Sequence, residues 1–241
     1  MSGGDARDEG CCSVFRRHGS GKTRCRAGTF NARSLRSKIK KQLIIQDFEQ
    51  YDLDVLGVTE TWIDGNGVDT MDNGHVMYRS GGSSGRAGVG ILIHKRLKNN
   101  IVSYKFYSER IISIRLAINP RRDSRTVTVV CCYAPTLQRS TKYPAEADSF
   151  YSVLSSIAGQ VKRRDELWIL GDFNAKVGSS VGGRSGPVGS YSKHTSNNAN
   201  GDRLLDLCGE HGLVLCNTLF KHKLQHRSTW FADGLTYSDG R

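Results

Sequence analysis

One stretch, Glu166–Val177 (ELWILGDFNAKV), constrains the fold more than any other. Leu167, Trp168, Ile169 and Leu170 form a short continuous apolar run, the pattern of a strand buried on both faces. The run stops at Gly171, and Asp172 and Asn174 follow with only Phe173 between them. A carboxylate and a carboxamide are thereby delivered just past the carboxyl end of a core strand, where open α/β sheets present their chemistry. Asp172 there can accept a proton or orient a water, while Asn174 can donate to a phosphoryl oxygen. The same Gly-Asp-Phe-Asn letters also describe a plain turn closing a hairpin, since Gly, Asp and Asn are turn formers.

Three further stretches share this form and tip the reading toward a site. In TFNARSL (Thr29–Leu35), Phe30 can anchor in a core while Asn31 sits at the strand end with its amide free. Ser34 is a reasonable N-cap for the helix that follows, whose Leu35, Ile39, Leu43 and Phe48 fall near one face. DVLGVTE (Asp54–Glu60) is a buried-strand run ending in an acid, which must be solvated, paired or bound to a metal. Glu60 is accordingly the best metal-ligand candidate, with a salt bridge to an arginine as the plainer alternative. TVTVVCCY ends at Tyr133, whose hydroxyl can reach a phosphate or simply mark a core edge.

Between these stretches the pattern is ordinary. Ala87–His94 reads as a strand, and Ile101–Phe106 with Ile111–Ile118 as a hairpin. A helix is expected over Pro144–Val161, with Phe150, Leu154, Ile157 and Val161 as its buried stripe. After a polar loop, Gly178–Gly201, Asp202 is expected to cap a helix closed by Gly212, and Leu213–Asn217 to form a strand. Lys221, His222, Lys223, His226 and Arg227 then cluster beside Thr229 and Trp230, an interleaving of cations and aromatics that suits nucleic acid. A solvated loop would look similar. Lys and Arg outnumber Asp and Glu by 35 to 23, a net +12, which favours a polyanionic partner, nucleic acid ahead of an anionic membrane.

The seven cysteines have no CxxC and no Cys/His spacing of a zinc site, so they are read as reduced thiols of an intracellular protein. No apolar run is long enough to span a membrane. Residues 1–28 are rich in Gly, Ser, Arg and Cys without apolar periodicity, and are expected to be a disordered basic tail or an artefactual extension.

Taken in order, TFNARSL, VTETW, CYAPT, GDFNAKVG, NANGDRLLDLCGEHGLVLCNT and RSTW resemble the endonuclease/exonuclease/phosphatase superfamily, the DNase I-like fold. Within it they look most like LINE-type retrotransposon endonuclease domains and their domesticated relatives, the craniofacial development protein 2-like proteins. The resemblance implies an α/β fold, a four-layer α/β/β/α sandwich, occupying residues 29–241. It implies a divalent metal at one rim, Mg²⁺ with Mn²⁺ as a substitute, held by Asn31 and Glu60. It gives Tyr133 a hydrogen bond to the scissile phosphate, Asp172 the attacking water and Asn174 the developing charge. DNA is the implied partner, contacted through Lys221, Lys223, Arg227, Thr229 and Trp230, in a nuclear rather than cytoplasmic setting. The family pattern continues past RSTW to a strand ending in Ser-Asp-His, whereas this chain reads Ser238-Asp239-Gly240. The resemblance therefore implies an incomplete C-terminus, a missing edge strand and impaired hydrolysis. The alternative is a non-catalytic remnant that binds nucleic acid or protein.

Overall fold

The computed structural model describes residues 13–16, 25–83, 87–119, 123–136, 143–179, 186–192 and 194–221. Among them lie, in chain order, β1 (Ser13–Arg16), β2 (Ala27–Asn31), α1 (Lys38–Gln50), β3 (Val55–Thr59), β4 (Gly67–Thr70), β5 (Val76–Ser80), β6 (Val89–Ile93), β7 (Ile101–Ser108) and β8 (Ile111–Asn119). There follow β9 (Asp123–Tyr133), α2 (Tyr143–Gln160), β10 (Glu166–Asp172), α3 (Ala199–His211) and β11 (Val214–Leu215). One sheet has the order β11-β1-β10-β9-β8-β7, the other β2-β3-β6-β5-β4. Both are mixed. β9 and β10 run parallel, as do β2 and β3, while the remaining pairs are antiparallel.

The period-2 alternation of the strands builds the layers. Val129, Cys131 and Tyr133 of β9, with Trp168 and Leu170 of β10, face Val55, Val89, Ile91 and Ile93 of the opposite sheet and fill the space between the two. Their neighbours Val130, Cys132, Leu167 and Ile169 point the other way, onto Phe150, Leu154 and Ile157 of α2 and Leu204, Leu207 and Cys208 of α3. On the far side Leu56, Val58, Met77 and Leu92 carry Leu35, Ile44 and Phe48. Three apolar cores separate four layers: helices, sheet, sheet, helix. That is the DNase I-like α/β sandwich. Burial pushes the Cys131 thiol up to about 12, so it stays a protonated, unreactive core group. Among the described residues no helix is long and apolar enough to cross a membrane.

Several local expectations need correcting. In α1, Ile44 and Phe48 are buried, whereas Ile39 and Leu43 are 69% and 52% exposed. Leu43 lies one residue, about 100° of rotation, from Ile44, and the sheet accepts only one of the two apolar stripes. Ser34 does not cap this helix. It takes a left-handed conformation (φ 86°) and Ser37 occupies the N-cap position. Asn198, not Asp202, caps α3, its side chain accepting from the Gly201 N–H, while Gly212 closes the helix at φ 62° as expected. The strand expected over Leu213–Asn217 shortens to Val214–Leu215 and then tightens into a 3₁₀ turn. Within the expected tail, Ser13–Arg16 pair antiparallel with β10 and β11. The free edge of β10 needs main-chain partners, and a short extended segment supplies them whatever the surrounding composition.

Two glycines give a matched stability test. Gly171 opposite Cys132 has φ 134°, and a Cβ there would sit 1.9 Å from the Cys132 carbonyl oxygen. Gly209 lies inside α3 with nothing within 4 Å of the same position. In urea unfolding Gly171→Ala is expected to lose about 3 kcal/mol or more, through strain and overpacking together. Gly209→Ala is expected to gain about 0.5–1 kcal/mol from helix propensity.

Candidate active site

Parallel pairing brings two strand ends together in each sheet. Asn31 ends β2 opposite Thr59, the last residue of β3, so Glu60 emerges beside it. Tyr133 ends β9 opposite Asp172, the last residue of β10. The inner faces of the two sheets meet, so both pairs converge on one rim. The Asn31 amide spans the gap: its Nδ2 donates to Glu60 Oε1 at 2.7 Å and to Asp172 Oδ2 at 3.3 Å. The Tyr133 hydroxyl lies beside the Glu60 carboxylate, close enough for that charge to raise its pKa. Asn174 closes the set, its backbone N–H donating to Asp172 Oδ1 at 2.9 Å and its Nδ2 to the Ala134 carbonyl at 2.8 Å.

Alternation alone would send Glu60 to the outer face, since Thr59 is buried between the sheets. A left-handed backbone at Glu60 (φ 52°) turns the side chain back over the rim, and Asn174 is likewise left-handed (φ 48°). Asn adopts this region readily, whereas Glu does so at a cost. Asn31, Glu60, Asp172 and Asn174 are thus gathered in one hydrogen-bonded cluster, with Tyr133 beside it. Lys221 is exposed just after the 3₁₀ turn that follows β11, and Lys223, Arg227, Thr229 and Trp230 lie outside the described residues. Sequence reasoning missed Arg110, in the β7–β8 turn. Its guanidinium stands 5.3 Å from the centre of the Tyr133 ring and donates to the Tyr133 carbonyl at 3.4 Å. The only sequence signal was a charged residue in a tight hairpin.

A family model described as the Endonuclease/Exonuclease/phosphatase family matches residues 28–235. The chain belongs to that family. Craniofacial development protein 2 of Bos taurus is 32% identical over 214 residues, 88% of this chain and 34% of the relative. The same protein of Tragulus javanicus is 32% identical over 216 residues, covering 89% and 34%. The chain therefore spans about a third of the length of these curated relatives. An AP endonuclease structure from Archaeoglobus fulgidus superposes with a TM-score of 0.52 at 19% identity, over 78% of this chain and 70% of that one, and shares the fold.

The electrostatics follow from where the rim lies. Burial raises the pKa of Asp172 above the ordinary carboxylate range, the bonds from Asn174 and Asn31 pull it back, and the Glu60 charge raises it further. Burial, then the charge of Glu60, drives Tyr133 far above its usual value, so the phenol remains a donor at neutral pH. The oxygens of Glu60 and Asn31 are hard donors, and the Glu60–Asp172 repulsion is what a divalent cation would relieve. Among the described residues no three or more His, Cys, Asp or Glu side chains gather as a metal cluster. Mg²⁺ fits such a sparse set, because it keeps several waters and binds through one or two carboxylates.

A raised folded-state pKa stabilises the fold below the unfolded carboxyl value and loses that stabilisation as pH rises through the folded value. In EDTA buffer, the melting temperature of Asp172→Asn minus that of the wild type, a margin lowered at every pH by the hydrogen bond the amide cannot accept, is therefore expected to widen from pH 4 to pH 8. Thermal melts across that range check it, and a margin that narrows with rising pH would contradict the assignment.

Proposed function

We propose that this chain carries the site of a DNA endonuclease of LINE-type descent, hydrolysing phosphodiester bonds with Mg²⁺ or Mn²⁺ more slowly than a relative that has the Ser-Asp-His motif. The observation that carries the reading is the Asn31 amide bridging two carboxylates from different sheets, with a phenol and a second carboxamide beside them. Family membership supports it.

Asp172 acts as base. Each of its oxygens already accepts one hydrogen bond, which leaves a lone pair on each for a water. Its raised proton affinity makes it a better acceptor than a solvated carboxylate, and the Asn174 and Asn31 N–H groups fix its orientation. Asn174 spends one amide hydrogen on Ala134 and keeps the second for a phosphoryl oxygen, while Tyr133 offers a neutral O–H. Donors preset where charge develops contribute most of what a site like this can supply. Glu60 and the Asn31 carbonyl would hold the metal, which when bound adds charge stabilisation on the phosphate and the leaving oxygen. The net +12 charge draws the duplex to the surface.

Supercoiled-plasmid nicking with Mg²⁺ tests the reading. Asp172→Ala is expected to lower the rate by about 10³-fold or more, and Asn174→Ala by about 10²–10³-fold, the usual cost of one such donor. Glu60→Gln should raise the Mg²⁺ concentration for half-maximal rate. Nicking that survives Asp172→Ala unchanged would be contaminating nuclease. DNA binding without nicking would leave the non-catalytic binding role.

Duplex affinity is expected to fall as salt rises. Neutralising Lys221, Lys223 and Arg227 together should flatten the plot of log K against log salt by about 0.9 per phosphate contact removed. An unchanged slope would clear that cluster of any part in binding.

A further inference from the structure

The start of α3 holds the strand-end loop that carries Asn174, and it does so with side chains the sequence presents only as loop asparagines. Asn198 Oδ1 accepts from the Gly201 N–H at 2.7 Å as the helix cap and also from the Lys176 N–H at 3.0 Å. Its Nδ2 donates to the Asn174 carbonyl at 3.0 Å, and its backbone N–H to the Lys176 carbonyl at 3.1 Å. One residue thus fastens the loop at three points while capping the helix.

Asn200 works from behind. It is fully buried, and its Nδ2 donates to the Pro135 carbonyl at 2.9 Å and, at 3.4 Å, to that of Asn174. Its Oδ1 accepts from the Tyr143 hydroxyl at 2.7 Å, and its carbonyl from the Tyr151 hydroxyl at 3.1 Å. The amide therefore ties the loop after Tyr133 to the loop after Asp172 and anchors both on α2. Gly201 completes the fit, since a Cβ there would lie 2.0 Å from the Lys176 carbonyl oxygen. A buried amide with all its bonds made is specific, because leaving a buried donor unmet costs more than the bond gains.

We propose that Asn198 and Asn200 are positioning residues that hold Asn174 in its left-handed conformation and set its distance from Tyr133 and Asp172. The proposal rests on the nuclease reading for its catalytic consequence but not for the clamp itself. Asn174 touches both partners of the rim, through Asp172 Oδ1 and the Ala134 carbonyl, so a loose loop moves the base and the phosphate donor together. Misplacement of this kind slows chemistry without weakening substrate binding at the surface.

Asn198→Asp separates the roles. Aspartate caps a helix as well as asparagine and keeps both acceptor bonds, but it sets a carboxylate oxygen against the Asn174 carbonyl in place of a donor. In the full chain this variant is expected to keep its melting temperature within a few degrees. The Asn174 amide should exchange about tenfold faster, and kcat for plasmid nicking should fall about 10- to 100-fold with KM unchanged. Asn200→Asp should show the same pattern more strongly, and if it does not fold, Asn198→Asp decides. Unchanged exchange at Asn174 overturns the clamp. Faster exchange with unchanged kcat overturns its positioning role. If the wild-type chain does not nick, the nuclease reading fails, and exchange at Asn174 alone then supports or overturns the clamp.

Discussion

The close approach of β3 to β10 underlies the rest of the molecule. Gly57 faces Leu170 across the inter-sheet core, and a Cβ on that glycine would lie 2.8 Å from the Leu170 Cβ and 3.2 Å from the Cys131 sulfur. No larger residue allows the two sheets to close this far without displacing one of them. Three residues on from Gly57 is Glu60, and two on from Leu170 is Asp172. The distance between the carboxylates is therefore fixed by packing in an apolar core, and the Asn31 amide needs only to fill the gap that packing leaves. The rim is a consequence of the sandwich closing, and it loses its geometry if the core is loosened beneath it.

Holding polar groups at that edge has a backbone cost. Left-handed non-glycine residues occur at Arg33, Ser34, Glu60, Trp62 and Asn174, all in the turns that leave β2, β3 and β10, with Asp52 the single further case among the described residues. Each such residue costs on the order of 1 kcal/mol or more, and such a cluster persists only where neighbouring contacts over-determine it. Those contacts are visible: Ser34 N–H donates to the Glu60 carbonyl, Thr61 N–H to that of Gly88, Trp62 N–H to that of Ala87, and Ala134 N–H to that of Asp172. The turns brace one another across neighbouring strands of each sheet, so the strain is shared among segments distant in sequence.

This distribution explains what the sequence disclosed. Strand ends were legible because an apolar run that stops at a polar residue leaves little choice: Asn31, Glu60, Tyr133 and Asp172 all sit where their runs terminate. Two-sided burial of β10 was legible for the same reason. The division into four layers was carried by the ordered motifs and not by periodicity, since a run buried on both faces does not say what covers each face. The outward stripe of α1 was misjudged because Ile39/Leu43 and Ile44/Phe48 have the same spacing, and only the sheet surface decides between them. The α3 cap was misplaced because Asp202 and Asn198 are equally good cap residues. What distinguishes them is the Lys176 and Asn174 backbone, brought there by tertiary structure. Arg110 and Asn200 act through contacts to carbonyl groups of other segments, which no local pattern encodes.

The charge distribution gives the rim its character. The chain is strongly basic, yet its two strand-end carboxylates lie together in a partly buried notch. Around them stand cations: Arg110 against Tyr133, Arg33 two residues past Asn31, Lys40 bonded to the Arg33 carbonyl at 2.9 Å, and Lys176 two residues past Asn174. A polyanion approaching such a surface is attracted over a wide area and repelled only at the notch. Both act over about a Debye length, ~8–10 Å in physiological salt, but the repulsion comes from two carboxylates and is relieved by a divalent ion or a proton. Burial keeps the Asp172 carboxyl a stronger base than its solvated equivalent, opposed by the hydrogen bonds from Asn174 and Asn31 and reinforced by the Glu60 charge. On the proposed function, an acidic pit among cations would separate two tasks, holding a polyanion and accepting a proton. The inter-sheet core enforces that separation by placing the carboxylates where water is scarce and the cations where it is not.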